Sequence, residues 1–117
     1  MAEYRSEGEV IAYTAGADVA AGAVLAINDV VGVAMAPIAN GATGTVRIKG
    51  EFVVPKLAGV AWEIGDKLDL DVAPALGFTK GLTPATGDVA GCAVAVRAAA
   101  SADTVGYAVL TPAGTGA

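Results

Sequence analysis

Lys67-Leu68-Asp69-Leu70-Asp71-Val72 alternates charged and apolar residues without a break. Successive side chains of a β-strand point to opposite faces, so this spacing puts Leu68, Leu70 and Val72 on one side and Lys67, Asp69 and Asp71 on the other. Such a strand has one dry and one wet face, the habit of an antiparallel sheet covered on one side. Gly44-Thr45-Val46-Arg47-Ile48-Lys49 repeats the pattern, with Val46 and Ile48 against Thr45, Arg47 and Lys49.

Working outward, shorter runs of the same kind occupy residues 9–14, 23–27, 30–35, 51–54, 76–79, 92–96 and 104–110. Pro55 closes the run at 51–54, because proline has no N–H to give to a ladder. Turn residues separate the runs: Asn28-Asp29, Ala39-Asn40-Gly41-Ala42, Ala73-Pro74-Ala75 and Pro84-Ala85-Thr86-Gly87-Asp88. The best helical candidate is 57–64, but Gly59 and the β-branched Val60 weaken it and leave one short turn at most. The alanine-rich segment 98–103 is too short for a helix of its own. The fold class is therefore all-β: a small antiparallel β-barrel or sandwich of about 7–9 short strands with little helix. The chain divides into an N-terminal arm at 1–8, a single β domain at 9–111 and a flexible C-terminal tail at 112–117, frayed or extended.

Composition removes most chemistries. The 117 residues hold no histidine, one cysteine (Cys92) and two serines (Ser6, Ser101). Ser/His and Cys/His nucleophilic sites are thereby excluded, as are Cys/His metal sites. Gly41-Ala42-Thr43-Gly44 leads into a strand and lacks the lysine of a phosphate loop. No catalytic residue, cofactor or metal is expected. The Asp66, Asp69 and Asp71 series lacks the glycine turn and closing glutamate of a calcium loop and reads as a solvated strand face. Glu3, Glu7 and Glu9 sit near an exposed chain end, where nothing pulls their acidities apart.

The net charge is −5, and the seven basic residues are dispersed, so no nucleic acid is expected as partner. No apolar run approaches the ~20 residues that span a bilayer, which leaves no membrane role. The start carries no basic flank ahead of an apolar stretch, so no signal peptide is expected, and a lone thiol fits a reducing cytoplasm. Cys92 lies among apolar neighbours and reads as a buried small hydrophobe. The hydrophobic fraction is 55% and the mean hydropathy +0.61. So apolar a chain must expose part of that surface, and an exposed apolar patch marks an interface. Trp62 is a core residue or, alternatively, a subunit contact, where tryptophan is enriched. Tyr4, beside Arg5 and Glu7, is a candidate anchor if the N-terminal arm docks on a partner.

In order along the chain, Gly8-Glu-Val-Ile-Ala-Tyr-Thr-Ala15, Val19-Ala-Ala-Gly22-Ala-Val-Leu25, Val31-Gly32-Val33-Ala34, Ile38-Ala-Asn-Gly41-Ala-Thr-Gly44-Thr-Val46, Lys49-Gly50-Glu-Phe52-Val-Val-Pro55-Lys56, Ile64-Gly65-Asp66-Lys67-Leu68 and Ala90-Gly91-Cys92-Ala93 resemble the phrases of the phage capsid cement, or head decoration, proteins. The phrase through Phe52 to Pro55-Lys56 is the closest. The chain departs after Leu68, where the family often has an aromatic-Asp pair and this chain has Leu70-Asp71.

The resemblance implies a structural virion protein, not an enzyme, that decorates the outside of a tailed-phage capsid. Its partners would be the major capsid protein and further copies of itself, commonly as a homotrimer. It would be assembled in the host bacterial cytoplasm and located on the capsid exterior. Many weak contacts across a seam are lost only together, which is how such a clamp resists internal pressure. Residues 2–9 would then supply capsid contacts and apolar strand edges the trimer, with Tyr4, Arg5, Glu7, Phe52 and Trp62 as candidate interaction residues. The rival readings are another phage head or tail component, or a ligand-binding β-barrel.

Overall fold

The computed structural model describes residues 2, 8–73, 75–112 and 114–116, and these contain ten strands and no helix. β1 (Val10–Thr14), β2 (Val24–Ile27), β3 (Val30–Ala34) and β4 (Thr43–Arg47) form one antiparallel sheet in the order β1-β4-β3-β2. β5 (Gly50–Pro55), β6 (Lys67–Asp71), β7 (Gly77–Thr79), β8 (Val89–Ala95) and β9 (Val105–Leu110) form a second, in the order β5-β9-β8-β6-β7. A short β10 (Thr115–Gly116) adds to β8. The second sheet curls until Lys56 and Phe78 meet in one parallel bridge, with the Leu57 N–H donating to the Phe78 carbonyl at 2.9 Å. It stops short of a closed barrel, and the whole is sandwich-like.

Local sequence explains the turns. Asn28 takes a φ of 54°, and Ile27 pairs with Val30. A two-residue hairpin turn needs that left-handed backbone, which asparagine tolerates. At Gly91, φ is 63° and the β6–β8 register shifts between Leu68 and Leu70. That irregularity lets β8 begin at Val89, upstream of the expected Cys92.

The alternation that opened the reading holds in β6: Leu68 and Leu70 are fully buried. They join Val54, Trp62, Phe78, Val89, Cys92, Ala108 and Leu110 inside the curled sheet. Burying each large side chain of this kind stabilises by about 1.5–3 kcal/mol. Val31 and Val33 of β3 complete this interior from the other sheet. A second, smaller interior gathers Ala15, Ala34, Ile38 and Val46, with Ile11, Tyr13, Val19, Leu25 and Ile27 partly buried around it. The Val19–Ile38 bridge draws two loops together beside it.

Residues 57–64 form no helix, only a short turn at 58–59 and the start of another at 64. Gly59 has a φ of 114°, and Trp62 exchanges backbone bonds with Ala99 at 3.0 and 2.9 Å. Partners far along the chain hold Trp62 in a bridge between these turns.

The aspartates are more than a wet strand face. Asp69 is half-buried, and its carboxylate accepts from the Gly91 and Leu82 N–H groups at 2.8 and 3.1 Å. Asp88 is buried and accepts from Ala85 and Val72 at 2.8 and 3.0 Å. Those two N–H bonds, Ala85 first, and then the neighbouring Asp71 hold its carboxyl below the usual aspartate range. Asp66 accepts from the Glu63 N–H and pairs with Lys80 at 2.9 Å, and these two, in that order, hold its pKa below the ordinary value. Three carboxylates thus pin the long β6–β8 connection.

Candidate interaction surface

β5 and β9 pair along their whole length, Glu51 opposite Val109, Val53 opposite Tyr107 and Pro55 opposite Val105. Directly paired residues share a face. Gly106, Ala108 and Leu110 turn inward, so Val105, Tyr107 and Val109 turn out. Val94 of β8 stands opposite Val109 and completes the apolar centre. Val53 and Val105, diagonal neighbours across β5 and β9, are 63% and 52% exposed, high values for valines in a sheet. The Arg97 guanidinium lies over the Tyr107 ring at 4.2 Å, a cation–π contact at the rim. An apolar centre with tyrosine and arginine at its margin has the anatomy of a protein interface.

Charge frames this centre. Lys67 of β6 stands opposite Val94, so Glu51, Val109, Val94 and Lys67 form one row across β5, β9, β8 and β6. The two ends carry opposite charge and are both exposed, and Asp69 and Asp71 share the outward side of β6 with Lys67. Among the described residues the salt bridges are Arg47–Glu9 and Lys80–Asp66, so neither Glu51 nor Lys67 has an ionic partner.

The residues singled out from sequence do not come together here. Phe52 is half-buried and packs on the larger interior, on the opposite side of β5 from Val53. Trp62 is 1% exposed, and its Nε1–H donates to the Arg97 carbonyl at 3.1 Å. Its ring fills the chain's own core and presents nothing to a partner. Tyr4, Arg5 and Glu7 lie outside the described residues. Val53, Tyr107 and Val109 were missed because each strand was read alone. The signal becomes visible only when the outward residues of β5 and β9 are set in register.

Other features offer less. Cys92 is buried, and loss of solvation pushes its thiol up to about 12. An open cleft of about 380 Å³ is lined by Ala26, Asn28, Asp29, Gly87 and Gly116, a set with no nucleophile or general base beyond one carboxylate. That carboxylate already accepts from the Gly116 N–H. Among the described residues no group of three or more His, Cys, Asp or Glu could hold a metal ion. No helix there is long and apolar enough to cross a membrane.

The described residues thus present an apolar face on an all-β sandwich. A family model described as phage cement protein matches residues 5–110, and the chain belongs to that family. No curated protein shows significant similarity to the chain, and no solved structure does. Membership gives the chain a structural role on the phage capsid, through binding to capsid proteins.

Proposed function

We propose that this chain decorates the outer surface of a tailed-phage head and clamps neighbouring major capsid proteins, without catalysis and without nucleic acid or membrane as partner. The family match over residues 5–110 carries the reading. Several copies act together, as a homotrimer, so that many weak contacts bridge one seam and must fail at once. The non-local ladders of the two sheets suit that load, because β5, β8 and β9 are joined along their length and cannot slide singly. The N-terminal residues 2–9, with Tyr4, Arg5 and Glu7, reach for the shell, while the β domain stays outside. Assembly takes place in the host cytoplasm.

Cryo-microscopy of heads made with and without the protein tests this. The expected result is additional outer density bridging capsomers, and heads that survive heating or chelation better when it is present. Heads with identical outer surfaces in both preparations would sink the reading.

A further inference from the structure

We infer that the outer edge of β2 takes up an extended segment of the major capsid protein as an added strand, which lays a large apolar side chain beside Leu25 and Ile27. The inference rests on the decoration reading above and names one of its contacts.

The chain holds the same four-stranded unit twice. The first sheet runs β1-β4-β3-β2; the second runs β5-β9-β8-β6 and then adds β7. The loops match bond for bond. Val19 and Ile38 exchange backbone bonds as Trp62 and Ala99 do. The Gly22 N–H donates to Ala34 as that of Gly65 does to Ala95, and the Ala15 N–H to Ala42 as that of Lys56 does to Thr104. Leu25 and Ile27 therefore correspond to Leu68 and Leu70, Ala26 to Asp69, and Gly16 to Leu57.

β7 is what the first unit lacks. In the second unit Phe78 pairs with Leu70, its carbonyl accepts from the Leu57 N–H, and Leu68 and Leu70 are fully buried. In the first unit, among the described residues, no strand lies beyond β2 and the Gly16 N–H has no backbone partner. Leu25 and Ile27 are only half-buried there. The Ala23 carbonyl accepts from the Ala34 N–H inside the sheet. Strand residues alternate in the neighbour they bond, so Ala26 turns its N–H and carbonyl to the outer edge. Ala26 also lines the open cleft, so this edge is within reach of a partner.

An unpaired edge beside an apolar floor is a site for strand addition. The second unit shows the form of the occupant: a few extended residues, antiparallel to β2, with a large apolar side chain where Phe78 stands. The described part of this chain has none to spare. Phe52, Trp62 and Phe78 pack in the larger interior, Tyr13 borders the smaller one, and Tyr107 lies under Arg97. The segment therefore comes from another protein, and the partners of this family are capsid proteins.

Hydrogen exchange on the full chain, alone and on shells of the major capsid protein, reads the edge directly. The Ala26 and Gly16 amides should exchange freely in the chain alone and slow by about tenfold or more on shells. Two variants probe the same contact. Ala26→Pro removes the edge N–H and leaves the ladder to β3; Ile27→Thr makes the floor polar. Each should weaken shell binding about tenfold, with melting curves to verify folding. Wild type that coats shells while Ala26 still exchanges freely overturns the inference and leaves the decoration reading standing. Folded variants that bind as well as wild type do the same. Slow exchange in the chain alone also overturns it: loss of that protection on deleting residues 1–7 gives the edge to the N-terminal arm, and its loss on dilution gives it to a second copy. Wild type that ignores shells removes the decoration reading and this occupant together.

Discussion

The Lys56 ammonium sits 5.3 Å from the centre of the Trp62 ring, in a pocket where the lysine is only 4% exposed. Its Nζ donates to the carbonyls of Leu57 and Asp103 at 3.1 and 3.3 Å. The Pro55-Lys56 phrase thus ends β5 and ties two loops to the largest core side chain. Replacing Lys56 by alanine strands both carbonyls and removes the aliphatic stem. A loss of about 1–3 kcal/mol in denaturant unfolding is expected. Lys56→Met keeps the stem and should fall between; a methionine variant as stable as wild type would show that the ammonium contributes nothing.

Gly106 is required for a second reason at the same tryptophan. A methyl group there would overlap Cζ2 of Trp62 and lie 3.0 Å from Cη2. Gly106→Ala should cost about 1–3 kcal/mol by overpacking. Trp62→Phe withdraws the overlapping ring, so the two substitutions together should cost less than their sum in a double-mutant cycle.

Acid should loosen the β6–β8 connection. Asp66 and Asp88 have folded pKa values below their ordinary value, because the folded chain donates hydrogen bonds to their charged forms. Their contribution is fully present above the unfolded aspartate value near 3.9 and is lost as pH falls through the lower folded values. Melting temperature should therefore hold from neutral pH to about 5 and drop below about 4. Asp88→Asn should lower it already at pH 7 and flatten the acid limb.

Cys92 should resist thiol reagents while the chain is folded. Burial pushes the pKa of its sulfur up to about 12, and the thiol points at the Leu68 carbonyl, 3.7 Å away. Against an ordinary thiol the thiolate population at neutral pH falls by about a thousandfold. Labelling in native buffer should therefore track unfolding, speeding up in step with denaturant. Fast labelling without denaturant would contradict the burial.

Removing the last residues should open the end of β8. Thr115 and Gly116 pair with Ala90 and Val89, and the Gly116 N–H reaches the Asp29 carboxylate. A chain ending at Leu110 should lose about 1 kcal/mol and exchange the Val89 and Ala90 amides faster. Gly114→Val should act similarly, since a side chain there meets the Asp29 carbonyl and Val89 at 2.7 Å.

Much of this architecture could be read residue by residue. Period two located strands such as β6 because one face is buried and the other wet or half-buried, as Leu68 and Asp69 are, whereas β7 is buried on both faces and β3 on most of its length. Asn28-Asp29 announced its hairpin through backbone preference alone. What escaped depended on distant partners. β10 is only Thr-Gly, too short to show a period, and is held in place by β8 and Asp29. Residues 57–64 offered one short turn and keep one at 58–59, but the bonds of Gly59 to Ser101 and of Trp62 to Ala99 could not be read from the sequence. Asp66 and Asp69 read as part of a solvated strand face because a sequence does not reveal which amides will be brought to them. The candidate surface was foreseen as an apolar excess and not as a place. Trp62, the conspicuous aromatic, is enclosed by its own chain, while the unremarkable valines of β5 and β9 face outward.

β3 lends Val31 and Val33 to the larger interior and Ala34 to the smaller. One ribbon is thus a shared partition, and neither chamber can empty while the other stays filled. Heat should dismantle both in a single step. A virion protein built this way is either whole or gone, with no half-melted form to linger on a shell.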